Sequence, residues 1–253
     1  MNFKLKRKII EFDEVGSTQE IAREYLERED CVHGLVIIAN TQSRGIGRHN
    51  RVWHSPRGGL WLSIIFKKQL PFTYLEGFSV RAGLKIVEKL EETVPLSFEI
   101  RWPNDLMLSG KKVGGILVDS SSVGEYLDHL ILGIGINVNN ELIDLPEEIR
   151  ENSTSIKNEL GGKEFSLEKI RDAVLDAQDQ IMLEFKEGEI SDLSKDWNNR
   201  SFTINSLLSI NLGEKIIEGI EQGITPTGAL IIKTLNGNEK IISSGEVRLV
   251  KQL

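Results

Sequence analysis

At 253 residues and 28.5 kDa, with a net charge of -7 and a mean hydropathy of -0.19, the chain has the proportions of one large soluble domain or a medium domain with a small companion. Apolar residues at 40% and charged residues at 27% exclude a disordered or fibrous chain, no apolar run approaches the ~18–20 residues that span a bilayer, and the acidic balance argues against a general nucleic-acid binder. The single cysteine, Cys31, excludes an internal disulfide and a cysteine-based zinc site, and the opening MNFKLKRKII lacks the apolar core of a secretory signal, so a cytoplasmic location is expected.

In chain order, Ser17, Thr18, Gln19 and Glu20 read as a capping box that opens a helix with Ile21, Ala22, Tyr25 and Leu26 on one stripe. A buried strand at 35–39 follows, and Leu60, Leu62, Ile64 and Phe66 alternate with Trp61, Ser63 and Ile65 in a second strand. Between them hangs QSRGIGRHNRVW, residues 42–53. From Cys31 through Leu75 there is no Asp or Glu, yet Arg44, Arg48, Arg51, Arg57, Lys67 and Lys68 all fall there. Gly45 and Gly47 permit close backbone approach and arginine supplies forked donors, so the loop reads as an anion cradle, although it is neither a Walker loop nor a dinucleotide fingerprint.

Helical spacing is predicted over 74–92, then a strand carrying Phe98, Ile100 and Trp102, a turn at Trp102-Pro103-Asn104-Asp105, and a hairpin about Ser109-Gly110 that leaves Lys111 and Lys112 just past the bend. In the next strand Leu130, Leu132, Ile134, Ile136 and Val138 give one apolar face, while Gly133, Gly135 and Asn137 leave the other bare, either for a ligand or for a packed helix. Ser166 opens a long helix that ends near Gly188. Beyond residue 200, five short β-type runs punctuated by Gly213, Gly223, Gly228 and Gly237 suggest a small barrel, giving domains at 1–200 and 201–253. Cys31, His33, His49 and His54 do not form a metal-ligand set.

Four motifs in order resemble the biotin protein ligases: Q-x-x-G-x-G-R-x-x-R-x-W at 42–53, R-W-P-N-D at 101–105, K-K-V-G-G-I-L-V at 111–118 and G-I-G-I-N-V-N at 133–139. The resemblance covers essentially the whole chain. It implies an α+β fold, a mixed β-sheet flanked by helices as in class II synthetases, with a C-terminal SH3-like barrel. It also implies that biotin and ATP combine to biotinyl-adenylate and pyrophosphate, with Mg2+ accompanying ATP, and that the biotinyl group passes to a lysine of a biotin carboxyl carrier protein domain.

By the same resemblance, Ser17, Thr18, Gln19, Gln42 and Gly115 surround biotin, and Gly45 and Gly47 let the loop close. Arg48 bridges carboxylate and phosphate, and Arg51 holds phosphates. Lys112, rather than Lys111, is the essential lysine. Trp53, Asn104 and Asn137 serve the nucleotide, and Asp105 orients or deprotonates the acceptor lysine. From the residues alone, Ser17 is equally a helix cap, the two lysines a solvated hairpin tip, and Asn104-Asp105 a turn cap. Only sixteen residues precede Ser17, too few for a DNA-binding domain, so no repressor function and no nucleic-acid partner are expected. A homodimer is expected by analogy. A lipoate or octanoate ligase of the same architecture and a non-catalytic biotin-binding protein are the alternatives.

Overall fold

The structure, a computed structural model, describes residues 7–67, 70–188, 191–213 and 215–251. Lys68 and the first six residues of the opening segment lie outside the described residues. The chain begins with β1 (Ile9–Val15) and α1 (Thr18–Leu26). Ser17 caps α1 by accepting from the Gln19 N–H at 3.2 Å, whereas Glu20 turns to Arg44 at 3.5 Å instead of completing the predicted box. After β2 (Leu35–Gln42), the arginine loop leads into β3 (Leu60–Phe66), buried on both faces. The short β4 (Leu70–Pro71) precedes α2 (Phe78–Thr93). That helix starts later than its apolar spacing suggests, because Gly77 at φ 62° breaks the path from the 3-10 turn at Phe72–Leu75.

β5 (Phe98–Arg101) and β6 (Asp105–Leu108) form a hairpin across the cis Trp102–Pro103 bond, and β6 turns into β7 (Lys111–Val123) through Ser109 and Gly110 at φ 50° and 77°, the left-handed pair of a primed two-residue turn. β8 (Tyr126–Ile136) returns beside β7. Two single-turn helices, α3 (Glu147–Arg150) and α4 (Ile156–Glu159), lead to α5 (Leu167–Glu187), capped by Ser166 and closed by Gly188 at φ 72°, and then to α6 (Ser194–Arg200).

These strands build one mixed sheet in the order β1-β2-β3-β8-β7-β6-β5, parallel only between β1 and β2, with β4 paired to β8. The last segment, β9 (Leu207–Asn211), β10 (Ile216–Ile224), β11 (Leu230–Thr234), β12 (Glu239–Ile242) and β13 (Glu246–Lys251), forms a separate antiparallel sheet in the order β12-β11-β10-β9-β13.

Period-two alternation in β3 and β8 sends opposite sets of residues to the two faces. Leu62, Ile64, Leu132 and Ile134 join α2 and α5 in the main core, which extends to Leu208 and Ile232 of the small sheet. On the opposite face α1 covers one end only, packing Ala22 on Ile37, Ile65 and Ile131. Beyond α1 that face is left to Ser63, Gly133 and Gly135, and there the site lies.

Candidate active site

A cleft of about 300 Å³ opens over this uncovered face. Its inner end is polar. The Thr18 backbone N–H donates to Gln42 Oε1 at 2.8 Å, and Gln42 Nε2 donates to Ser55 Oγ at 2.7 Å. Thr18 Oγ1 lies 2.9 Å from Ser63 Oγ, which donates to Gln19 Oε1 at 2.9 Å. Ser17, Thr18 and Gln19 thus arrive on the first turn of α1, Gln42 at the end of β2, and Ser63 in the middle of β3.

The glycines expected to be bare are partly covered. A Cβ on Gly133 would meet Gln19 Oε1 at 2.7 Å, and one on Gly135 would meet Trp53 Nε1 at 2.6 Å. Trp53 lies flat on the strands, also 3.3 Å from a Cβ placed on Gly115, with its indole N–H buried and unpartnered. Larger side chains at these positions would displace it.

Lys112 shares this face because of a bulge. Regular alternation would put residues 112 and 115 on opposite faces, but Leu106 pairs with Gly114 while Met107 pairs with Lys112, leaving Val113 as the extra residue. After the bulge Gly114 faces β8 and the core, Gly115 faces the cleft, and the Lys112 side chain lies 3.5 Å from a Cβ on Gly115. The Lys112 backbone is clamped on both sides, its N–H donating to Asn152 O and its carbonyl accepting from Thr154 N, each at 2.9 Å. Lys111 is exposed, as for a hairpin tip.

Six charged side chains gather at the outer end. Lys112 Nζ is 2.5 Å from Asp105 Oδ1, Arg101 donates to Asp105 Oδ2 from Nη2 at 2.6 Å, and Lys112 Nζ sits 5.1 Å from the Trp53 ring centre. Burial pushes the Asp105 carboxyl up, but the positive charges of Lys112 and Arg101 outweigh it and hold the group below its ordinary range. Arg48 donates to Asn104 Oδ1 at 3.3 Å and to the carbonyl of Gly245 at 3.1 Å; burial lowers its pKa and Asp105 and Glu246 partly restore it, so the guanidinium stays charged. Asn104 is fixed in turn by donating to Ile116 O at 2.8 Å. Arg51 makes a two-pronged pair with Glu246.

Of the residues singled out from the sequence, Ser17, Thr18, Gln19, Gln42, Gly47, Arg48, Arg51, Trp53, Asn104, Asp105, Lys112, Gly115 and Asn137 all line the cleft. Gly45 does not line it. Gly45 is buried at the base of the loop, where a Cβ would strike the Trp53 carbonyl and come within 2.9 Å of Ser55 Oγ. Asn137 is not free as the bare-face reading supposes, for its Nδ2 donates to Thr154 O at 3.0 Å and its Oδ1 accepts from Asn140 at 3.2 Å. The acid-free stretch is also less concerted than its composition suggests. Arg44 and Arg57 point outward to Glu20 and Asp13, and among the described cations of the stretch only Arg48 and Arg51 line the cleft.

Sequence reasoning missed Ser63, which reads as the polar interruption of an apolar strand, and Arg101, whose place in R-W-P-N-D was the available signal. It also missed Gly245 and Glu246, which approach from the far end of the chain. Among the described residues no group of three or more His, Cys, Asp or Glu side chains is placed to hold a metal ion.

Residues 11–137 match the biotin/lipoate A/B protein ligase family, and residues 208–250 match the biotin protein ligase C-terminal domain. The chain is 28% identical to the bifunctional ligase/repressor BirA of Bacillus subtilis, over 93% of this chain and 72% of that protein. It is 28% identical to the biotin--[acetyl-CoA-carboxylase] ligase of Mycobacterium tuberculosis, over 85% and 79% of the two chains. The solved biotin protein ligase of Aquifex aeolicus, in complex with biotin and ATP, superposes with a TM-score of 0.82 at 32% identity, covering 98% of this chain and 100% of that one. With both matches in order along one chain and a full-length structural counterpart, the protein belongs to the biotin/lipoate A/B protein ligase family and, within it, to the biotin protein ligases.

Proposed function

We propose that the protein activates biotin with ATP to biotinyl-adenylate and then transfers the biotinyl group to a lysine on a carboxyl carrier protein domain. The observation that carries this reading is the convergence of Arg48 and Lys112, from separate stretches of chain, on the cleft whose inner end is the polar pocket of Thr18, Gln19 and Gln42. Both reactants of the first step are anions, and fixed cations in a partly enclosed site offset their repulsion most strongly where charge builds up.

In the first step a biotin carboxylate oxygen bonds to the α-phosphorus, the bond from that phosphorus to the bridging oxygen breaks, and pyrophosphate leaves with the electron pair. Lys112 turns from Asp105 to the phosphoryl oxygens, and Arg48, braced by Asn104 and Gly245, spans carboxylate and phosphate. Arg51 exchanges Glu246 for the outer phosphates. Trp53 covers the adenine side and shields the mixed anhydride from water. Asn137 supports residue 154, and hence the Lys112 backbone, while the remaining lone pair of its Oδ1 meets the adenine amino edge.

In the second step the neutral amine of the acceptor lysine attacks the acyl carbon, the bond from that carbon to the phosphate oxygen breaks, AMP departs with the electron pair, and the amine proton passes to water. A carboxyl held below its usual range is a weak proton acceptor, so Asp105 orients Lys112 and the incoming lysine rather than acting as the base. Mg2+ enters as a companion of ATP held by phosphates and water, consistent with the lack of a carboxylate cluster among the described residues. Residues 1–200 act as the catalytic unit and 201–253 as a second unit that closes the loop side through Gly245 and Glu246.

Pyrophosphate–ATP exchange tests the reading, followed by transfer to an isolated carrier domain. Biotin-dependent exchange and a biotinylated carrier are expected. Exchange with lipoate but not biotin would replace the reading with a lipoate ligase, and biotin binding without exchange would replace it with a binding protein.

A further inference from the structure

Ser63 has no role in the chemistry above, yet it is the one polar side chain of β3 and fully buried, with apolar neighbours on both sides in the sequence Leu-Trp-Leu-Ser-Ile-Ile-Phe. A buried hydroxyl in such a strand is retained only with its hydrogen bonds made. Its two partners, Thr18 Oγ1 at 2.9 Å and Gln19 Oε1 at 2.9 Å, are the side chains at the inner end of the cleft.

The donor count fixes the direction of the link to Gln19. Ser63 has one hydroxyl hydrogen, and the amide oxygen of Gln19 can only accept, so Ser63 donates to Gln19. The Thr18 hydroxyl also has one hydrogen, with two acceptors in reach, Ser63 Oγ at 2.9 Å and Gln42 Oε1 at 3.1 Å. Gln42 Oε1 also accepts from the Thr18 backbone N–H at 2.8 Å, which turns Gln42 Nε2 toward Ser55 at 2.7 Å. Gln19 is oriented at its other end too, Nε2 donating to Ile131 O at 3.4 Å, and its oxygen stands over Gly133, the residue paired with Ser63 across the sheet. The Ser63 hydroxyl therefore helps decide which way the Gln19 amide presents its donor and acceptor to the cleft.

We propose that Ser63 is a positioning residue for the acid substrate, setting the orientation of the Gln19 amide at the inner end of the cleft and so its preference for a ligand with a fixed pattern of carbonyl and N–H groups. The inference rests on the reading of this end as the biotin ring pocket. It predicts an effect confined to one substrate, because no nucleotide-side residue contacts Ser63 in the chain of bonds described.

The test is pyrophosphate–ATP exchange by wild type, Ser63→Ala, Gln19→Ala and the double variant. Wild-type exchange with biotin establishes the substrate, so the absence of that activity would count against the proposed function and not against the role of Ser63. Ser63→Ala is expected to raise the biotin KM about tenfold, the usual scale for a lost buried hydrogen bond, with the ATP KM and kcat within about twofold. The double variant is expected to have the biotin KM of Gln19→Ala alone, since Ser63 acts through that amide. A biotin KM unchanged in Ser63→Ala, an equal rise in both KM values, or fully additive effects in the double variant would overturn the proposal. Ser63→Cys, which keeps the volume and a weak donor, is expected to fall between wild type and alanine, and gives a second reading if the alanine variant folds poorly.

Discussion

Lys112 Nζ lies 2.5 Å from Asp105 Oδ1 across the β6–β7 pair, and the other carboxylate oxygen is taken by Arg101. Removing the lysine therefore leaves Asp105 still paired, and the loss should be kinetic before it is structural. Lys112→Ala is expected to bind biotin, seen by calorimetry, and to lose about a hundred- to a thousandfold in adenylation, the scale for a fixed donor to developing charge. Lys111→Ala, at the exposed hairpin tip, is expected to keep its rate. Unchanged exchange in Lys112→Ala would assign the role to another cation.

The same carboxylate sets an acid-side stability limit. The ordinary Asp105 value is 3.8 and the folded value lies below it, so the unfolded chain binds the extra proton first. Stability from this group is complete above 3.8 and is lost as pH falls through the folded value. Asp105→Asn leaves two cations unpaired and is expected to melt below wild type at neutral pH, then to converge with it on acidification below about pH 4. A constant gap in Tm across that range would show that the pairs contribute nothing in the folded state.

Glu221 behaves with the opposite sign. It is fully buried and accepts from Trp197 Nε1 at 2.8 Å, Ser201 Oγ at 2.7 Å and Thr203 Oγ1 at 2.6 Å, so α6 and the chain after it are tied to β10. Burial raises its pKa above the ordinary 4.5 and the three donors only partly offset the rise. Stability from this group is present below 4.5 and lost as pH climbs through the folded value. The Tm of Glu221→Gln minus that of wild type is expected to increase from pH 4.5 upward. A flat difference would mean that Glu221 stays ionised when folded.

Arg51 reaches the cleft on an exposed side chain, and its pair with Glu246 has the arginine 60% accessible. Such a pair contributes at most about 1 kcal/mol. Arg51→Ala is expected to leave Tm within a few degrees and the biotin KM unchanged, while the ATP KM rises about tenfold, an increase that shrinks at high salt. A rise in the biotin KM instead would move Arg51 to the other substrate.

What was legible in the sequence followed from local rules. Ser17 as a cap, the primed turn at Ser109-Gly110, the long helix between Ser166 and Gly188, and the five C-terminal strands all come from patterns shorter than about ten residues. The nucleotide-side cations were found through motif order. Lys112 was chosen over Lys111 by the resemblance, whereas the bulge at Val113 that turns its side chain to the cleft is not revealed by alternation. Ser63 was hidden because both faces of β3 are buried, so a serine there carries no periodic signal. Gly245 and Glu246 meet Arg48 and Arg51 across separations of 197 and 195 residues, and no local pattern encodes such a contact.

Gly45 and Gly47 look alike in the motif and differ in the structure. A Cβ at Gly45 would strike the carbonyl of Trp53, the residue whose backbone N–H donates to Gly45 O at 2.8 Å, and would press on Ser55 Oγ and Gln42 Nε2 at 2.9 and 3.0 Å. Three of these neighbours set the base of the loop, and none is the far end of a long flexible chain except the Gln42 amide, which is itself held by Thr18. Gly47, at φ -110°, meets only Arg51 O at 3.4 Å. Gly45→Ala is therefore expected to shift the loop and Gln42 together, raising the KM of both substrates several-fold and lowering Tm through a loss of stability of about 1–3 kcal/mol, the cost of a forced backbone displacement. Gly47→Ala is expected to leave Tm within about a degree, because nothing in the folded chain opposes the added methyl. If Gly47→Ala nevertheless abolishes adenylation, the methyl must be meeting substrate, and the close approach that the glycine permits belongs to the ligand. Equal losses of Tm in the two variants would contradict the packing described for Gly45.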